Sequence, residues 1–385
     1  MNGEHLDSPA PVSPVPVSLP RFAGYFLWLG TIGFGGPIAL AGYMQQDLVE
    51  KRGWIRKEDY VSGLALAQLA PGPLAAQLAM YLGYVRAGIA GATLVGVAFI
   101  LPSWLMVVAL AAAYTRFGGL SWMQGMFYGI GAAVIGIIAR SAFKLTRLTL
   151  GRDKLLWAIF LVLAASTAWT SREIVWLFLL GGLVSLVVKA WPLRAPASGI
   201  ANLVLAGFSL PLSGPLWEIF GYFAKAGLFV FGSGLAIVPF LYGGVVQEHH
   251  WLNDRQFVDA VAVAMITPGP VVITVAFIGY LVAGVGGAVA AALGVFLPVY
   301  FVVILLAPAY KKWAKNPHLN AFVRGVTAAA TGAIAGAVIV LARRSILDLP
   351  TAVIGGLTLL VLIKWKVPEP VLIALAAAAG LALKH

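Results

Sequence analysis

No cysteine occurs in this chain, so disulfides, thiolate nucleophiles and cysteine-held metals are excluded. Charge is scarce as well. Asp, Glu, Lys and Arg make up 10% of the 385 residues, where soluble proteins average roughly 25%. Acidic residues are the rarer kind, 14 against 26 basic, which leaves a net charge of +12. Strand-like alternation is missing, which argues against a β-barrel. Between Val61 and Val85, and again between Ala260 and Tyr310, there is no charge at all. Apolar runs beyond about 18 residues are long enough for membrane-spanning helices. The sequence therefore describes an all-α polytopic membrane protein with the lipid bilayer as its partner. On such a chain the positive balance belongs to loops facing the cytoplasm, and no nucleic acid is expected.

One stretch organises the chain. Ala70-Pro71-Gly72-Pro73-Leu74 interrupts the first charge-free run near its middle. Pro71 lacks an N–H and pushes Ala70 out of the α region, so a helix ends there. Pro73 suits the first position of a new helix. Irregular backbone at mid-membrane depth is tolerated only inside protein or beside a wet cavity. The motif then returns as Thr267-Pro268-Gly269-Pro270-Val271 in the second charge-free run.

Apolar runs lie at about 22–44, 61–85, 87–114, 120–142, 155–169 and 173–190, then at about 216–240, 258–282, 284–309, 320–342, 349–363 and 369–383. They divide the chain into a Pro-rich disordered tail over 1–20, a first repeat over 21–195 and a second over 196–385. Gly30 matches Gly227, Phe34-Gly35 matches Phe231-Gly232, Trp54 matches Trp251, and Pro71-Gly72-Pro73 matches Pro268-Gly269-Pro270, all 197 positions apart. One gap later the offset is 196: Gly83-Tyr84 with Gly279-Tyr280, Leu101-Pro102 with Leu297-Pro298. Duplicated halves with helices broken at matching positions point to the binding site of a secondary transporter. Basic residues swap sides between the copies. Lys144, Arg147, Arg152 and Lys154 follow the fourth run of the first copy, whereas Lys311, Lys312 and Lys315 precede the fourth run of the second. Such a swap predicts inverted topology. Inversion needs an odd number of crossings per repeat, so either Gly199–Leu212 also crosses or one broken segment is re-entrant.

Each repeat has two breaks: Gly33-Phe34-Gly35-Gly36-Pro37, answered by Phe231-Gly232-Ser233-Gly234, and the Pro-Gly-Pro pair. A helix opening at Pro73 leaves the N–H groups of Leu74, Ala75 and Ala76 without intrahelical acceptors, and Val271 onward repeats this. Such ends carry about half a positive charge and suit anions. The expected substrate-binding set is Gly35, Gly36, Gln68, Pro71, Gly72, Pro73, Leu74, Ala75, Lys225, Gly232, Ser233, Thr267, Pro268, Gly269 and Pro270. The competing reading is a packed kink whose hydroxyls and amides merely satisfy helix backbone. Lys225 precedes the second glycine turn, and an ionisable residue inside a membrane is a functional hypothesis; snorkelling is its alternative. Asp259 is either a carrier of a coupling proton or a helix-start charge. Gly91, outside the breaks, is the expected tolerant position for a bulky substitution. No metal site, cofactor or enzymatic constellation is expected; His249 and His250 are adjacent and do not share a helix face.

Phe34-Gly35-Gly36-Pro37, the polar segment Gln45–Tyr60 with Trp54, and Pro71-Gly72-Pro73-Leu74-Ala75 resemble the chromate ion transporters of bacteria in their long, two-domain form. The resemblance covers the chain after residue 20. The second copy departs from the first, with Ser233-Gly234 for Gly36-Pro37 and Val271-Val272 for Leu74-Ala75. It implies efflux of chromate across the bacterial inner (plasma) membrane, driven by the proton gradient, giving chromate resistance. A sulfate-like oxyanion, taken up rather than exported, is the alternative substrate, an intramembrane enzyme a weaker one, and a homodimer is left open.

Overall fold

The computed structural model describes residues 14–34, 36–118, 120–170, 175–189, 214–228, 237–308, 316–346, 348–365 and 367–383. Every regular element among them is helical. α1 (Leu19–Ile32) and α2 (Gly36–Met44) are separated at the glycine turn. The end of α2 widens into a π-helical turn over Gln45–Lys51, closed by Arg52 N–H on Asp47 O at 3.1 Å. α1 is about 21 Å long at 1.5 Å per residue, so a straight path would carry Trp54 far from the start of α1. Instead the Trp54 ring lies 6.2 Å from that of Phe22, and Val15 N–H donates to Gly53 O at 2.8 Å. The chain turns back on itself. Val17, two residues after Val15, is buried.

The second break behaves in the same way. A Cβ on Gly63 in α3 (Lys57–Leu69) would stand 2.3 Å from the Tyr81 ring in α4 (Leu74–Phe117). The two arms thus lie side by side, and Pro71-Gly72-Pro73 is the tip of a hairpin. α4 reverses again at Ala87 (φ −150°, ψ 33°) and Gly88 (φ 59°, ψ −144°). Residues eight apart in a straight helix are separated by about 12 Å, yet a Cβ on Gly83 would lie 2.4 Å from Gly91 O. Small residues here let two backbones touch. Arg86 donates to Val17 O, which returns the chain to the end where it began.

From there residues 89–117 run for about 43 Å to the opposite end, and α5 (Ser121–Leu150) returns. α6 (Lys154–Thr170) and α7 (Val175–Lys189) form an antiparallel pair clasped by Lys189 on Asp153. That hydrogen bond from Lys189 holds the Asp153 carboxyl below its ordinary pKa. Asp153 also caps α6 by accepting from Leu155 N–H at 3.1 Å and Leu156 N–H at 3.3 Å.

The second half repeats this plan. It comprises α8 (Pro215–Leu228), α9 (Ile237–Tyr242, widening over Gly243–Glu248), α10 (Asp254–Ile266), α11 (Thr274–Leu306), α12 (Pro317–Ser345), α13 (Leu349–Lys364) and α14 (Glu369–Leu383). α11 bends at Ala283 (φ −144°, ψ 34°) and Gly284 (φ 58°, ψ −149°), within a few degrees of the bend in α4. Gly30 brings α1 onto Phe99 O, where a Cβ would stand 2.2 Å away; Gly227 brings α8 onto Val295 O at 2.7 Å. The 197- and 196-residue offsets are therefore offsets between equivalent contacts.

The long arms of α4 and α11 pack against each other. Thr93 Oγ1 and Tyr300 Oη are 2.7 Å apart, and Trp104 Nε1 donates to Ala288 O at 3.2 Å. Numbers rise along one helix as they fall along the other, so the two run antiparallel. Arg255, at the base of the α10 hairpin, donates to Gln124 O at 3.3 Å, and Arg344 bonds Asp254 at 2.8 and 2.9 Å. The hairpins of the second half thus open at the end opposite those of the first. The halves also interlock. Gly332 and Gly336 of α12 seat against α6, while Gly129 and Gly136 of α5 seat against α14 and α13.

Among the described residues, four helices are long and apolar enough to cross a membrane: Leu74–Phe117, Ser121–Leu150, Val271–Leu306 and Pro317–Ser345. The runs expected at 22–44 and 61–85 are corrected to hairpins that enter and leave at one end. The boundary expected near residue 195 lies outside the described residues.

Candidate functional site

Each Pro-Gly-Pro tip packs on the long helix of the other half. Gly269 N–H donates to Gly33 O at 2.9 Å, joining the Pro-Gly-Pro tip of the second half to the glycine turn of the first. A Cβ on Gly72 would lie 2.9 Å from both methyls of Val299, and one on Gly269 would lie 2.8 Å from Ser103. Ser103 and Val299 are 196 residues apart, each directly after the proline inside its long helix. Ser103 is about 21 Å from either end of the arm 89–117. The second tip therefore sits at the middle of that arm, against Ser103, and the first packs on the equivalent residue Val299.

Ala70 ends α3 in an extended conformation (φ −79°, ψ 145°), as its proline demands. Pro73 takes the N-cap position of α4 rather than the expected first helical one, because its carbonyl accepts from Gln77 N–H at 3.0 Å. Pro270 instead precedes a 3₁₀ turn, Val271–Ile273, before α11 begins. Gly72 (φ +135°) and Gly269 (φ +99°) occupy backbone conformations that side chains disfavour. Gly72, Pro73, Leu74, Ala75 and Ala76 are buried, and so are Thr267, Pro268, Gly269 and Pro270; Pro71 is half-buried.

The polar groups divide. Gln77 is fully buried and donates from Nε2 to Pro71 O at 2.6 Å, while its Oε1 has no partner. Gln68, by contrast, is exposed near the end of α3. Thr267 Oγ1 donates to Val263 O at 2.5 Å and Thr274 Oγ1 to Val271 O at 2.8 Å, so both satisfy helix backbone. Gly36 is half-buried at φ +75°. Lys225 is exposed on α8, on one stripe with Glu218, Gly221 and Tyr222. Gly35, Gly232 and Ser233 lie outside the described residues.

Asp259 is 2% exposed and accepts from Tyr114 Oη at 2.8 Å. This joins α10 of the second half to α4 of the first, beside a cavity of about 150 Å³ lined by Tyr114, Phe127, Ala262 and Ile266. Its counterpart in the first half is Ser62, so this carboxylate is not duplicated. Sequence reasoning missed Tyr114, Ser103 and Val299 as neighbours of the site. The offset of 196 that relates Ser103 to Val299 was the available signal.

Residues 21–186 and 217–381 match the chromate transporter family. The chain belongs to the chromate transporter family. The chromate transport protein of Cupriavidus metallidurans is 62% identical over 377 residues, 94% of this chain and 93% of that protein. The probable chromate transport protein of Synechococcus elongatus is 56% identical over 375 residues, 94% and 95% of the two chains. The chromate transport protein of Pseudomonas aeruginosa is 31% identical over 400 residues, 97% and 94%. No solved structure matches the chain. The family match falls into two stretches, one on each side of residues 187–216, and each contains both hairpins of its half.

Proposed function

We propose that this family member exports chromate from the cytoplasm across the bacterial inner membrane, driven by the proton gradient, and so confers chromate resistance. The observation that carries this reading is the pair of duplicated Pro-Gly-Pro tips, each packed on the long helix of the other half at equivalent residues, Gly72 on Val299 and Gly269 on Ser103. Each tip opens a helix N-terminus and lies in a run of sequence without charge, which suits an anion. The names of the relatives favour chromate as the oxyanion. Of the site's remaining expected members, Gly36, Gln68 and Lys225 are assigned to the same path on this reading. Asp259, buried and unduplicated, is the proposed proton carrier.

The halves are inverted in the membrane on this reading, which the antiparallel packing of α4 and α11 supports. The end carrying Arg21, Arg52, Arg86, Lys144, Arg147 and Lys154 faces the cytoplasm, as the excess of basic residues requires. Single cysteines at Arg152→Cys and Pro308→Cys test this, since the chain has no cysteine of its own. Asn316 is avoided because its side chain caps α12 at His318 and Leu319. Both cysteines are expected to react from the cytoplasmic side; reaction from opposite sides would contradict the inversion.

Transport itself is tested in proteoliposomes holding the full chain. A proton gradient should drive chromate movement, sulfate should compete weakly, and collapsing the gradient should stop net movement. Lys225→Gln should slow chromate sharply, while Lys225→Arg should retain part of the rate because the charge survives. A Gln variant with the wild-type rate would assign Lys225 to snorkelling.

A further inference from the structure

The two hairpin mouths share one scaffold but carry different charged groups. At the mouth of the first half, a cavity of about 380 Å³ is lined by Arg21, Gly24, Tyr25, Trp28 and Arg52. Both guanidiniums stand over one ring: Arg52 Cζ is 4.7 Å and Arg21 Cζ 5.7 Å from the centre of Trp54. Arg52 also lies 5.3 Å from the Tyr25 ring. Trp54 is buried against Phe22, so the platform is fixed. No carboxylate pairs with either arginine among the described residues. The nearby Asp47 is engaged by Lys51 Nζ at 3.1 Å and by the Tyr25 hydroxyl at 3.3 Å, and Glu50 is bonded by Gln45. Gly24 adds no side chain to the floor.

Moving 197 residues on gives the mouth of the second half. Arg21 becomes Glu218, Arg52 becomes His249, and Tyr25 and Trp54 become Tyr222 and Trp251. There Glu218 Oε1 lies 3.1 Å from His249 Nδ1, and the His249 ring stacks on Trp251 at 4.4 Å. The aromatic platform is kept and the pair of guanidiniums is replaced by a carboxylate in contact with an imidazole. Lys225, in the place of Trp28, is the one cation remaining on that stripe.

From this contrast we infer that Arg21 and Arg52 form a docking site for a dianionic tetrahedral oxyanion at the mouth of the first half, where the anion is captured before it reaches the tips. The inference rests on the transport reading above and adds a second station to it. Two guanidinium forks held over one indole offer charge-assisted hydrogen bonds to oxygens of the anion, and arginine does this better than lysine. An anionic lipid phosphate has related chemistry, so the test separates the two sources.

The full chain is reconstituted in nanodiscs of phosphatidylcholine alone, and chromate binding and initial transport rates are measured against chromate concentration. Arg21→Gln and Arg52→Gln should each raise the half-saturating concentration about tenfold, the worth of one charge-assisted hydrogen bond, with the maximal rate within about twofold of wild type. Arg52→Lys should fall between, and Glu218→Gln should leave half-saturation unchanged. Phosphatidylglycerol added to the discs should not displace chromate. Unchanged half-saturation in both Gln variants, at normal protein levels in the membrane, would overturn the docking site while leaving the transport reading intact. A variant effect that appears only with phosphatidylglycerol present would assign the arginines to lipid and overturn it too. Wild-type protein that binds no chromate would instead remove the transport reading on which the inference stands.

Discussion

Gly72→Val is expected to abolish chromate transport. Gly72 stands at φ +135°, and a Cβ there would meet Gln77 Nε2 at 2.7 Å and Val299 at 2.9 Å. A strained backbone conformation of this kind costs about 1–3 kcal/mol, and valine adds two methyls where the helix N-terminus opens. Every 1.4 kcal/mol is about tenfold, so a loss of more than about tenfold follows from the tip geometry alone. Gly269→Val at φ +99° should act in the same direction against Ser103. The natural control is not Gly91. That glycine was expected to tolerate bulk, but a Cβ on it would lie 2.0 Å from Gly83 O in the α4 reversal. Gly356 on α13 has no atom within 4 Å of such a Cβ, and Gly356→Val should transport normally. Protein levels in the membrane separate loss of transport from loss of folding. A Gly72→Val protein that is present and transports at the wild-type rate would remove the tip from the path.

The second large effect is expected at Asp259. The carboxylate is buried at the junction of the halves with Tyr114 as its hydrogen-bond donor. A buried carboxylate with one hydroxyl partner is costly to keep charged, which suits a group that takes and releases a proton during a cycle. Asp259→Asn preserves volume and still accepts from Tyr114, so the fold should survive. Proton-driven net transport should fall by more than about tenfold, while exchange of chromate for chromate at equal pH should continue near the wild-type rate. Tyr114→Phe should weaken coupling less, because the carboxylate remains. If the Asn variant still moved chromate against its gradient when driven by protons, Asp259 would be a structural charge only.

Much of this arrangement was legible in the sequence, and the illegible part has a physical reason. The duplicated breaks could be read because proline removes a donor and forces the preceding residue to extend, whatever surrounds it. Ala70 and Thr267 are extended in the structure for that reason alone. The repeat could be read because Gly30 and Gly227, or Gly83 and Gly279, are held by backbone contacts that admit no side chain. What apolar periodicity does not encode is whether a helix continues or turns back after a break. Residues 61–85 have the composition of one crossing, yet Gly63 meets Tyr81 because a two-armed hairpin buries the same apolar faces. The reversal at Ala87-Gly88 falls where Arg86 divides the runs 61–85 and 87–114, but a boundary between runs does not say that the chain turns back onto itself. At the site, Thr267 and Gln68 were chosen for chemistry and nearness in sequence. Thr267 proves to bond its own helix, while Gln77, outside the expected set, is the buried amide at the tip. Arg21 and Arg52 went unremarked because 31 positions separate them, and only the fold-back of α2 brings both over Trp54.

The central claim is that a dianionic oxyanion is held by backbone N–H groups at the Pro-Gly-Pro tips. The most direct measurement is an anomalous-scattering map at the chromium edge from crystals of the protein grown with chromate. A chromium peak is expected at one or both tips, with chromate oxygens about 3 Å from the N–H groups at the start of α4 or of the turn Val271–Ile273. It should weaken when sulfate is added in excess. A chromium peak confined to the Arg21–Arg52 mouth or to the surface, with none at the tips, would contradict the account.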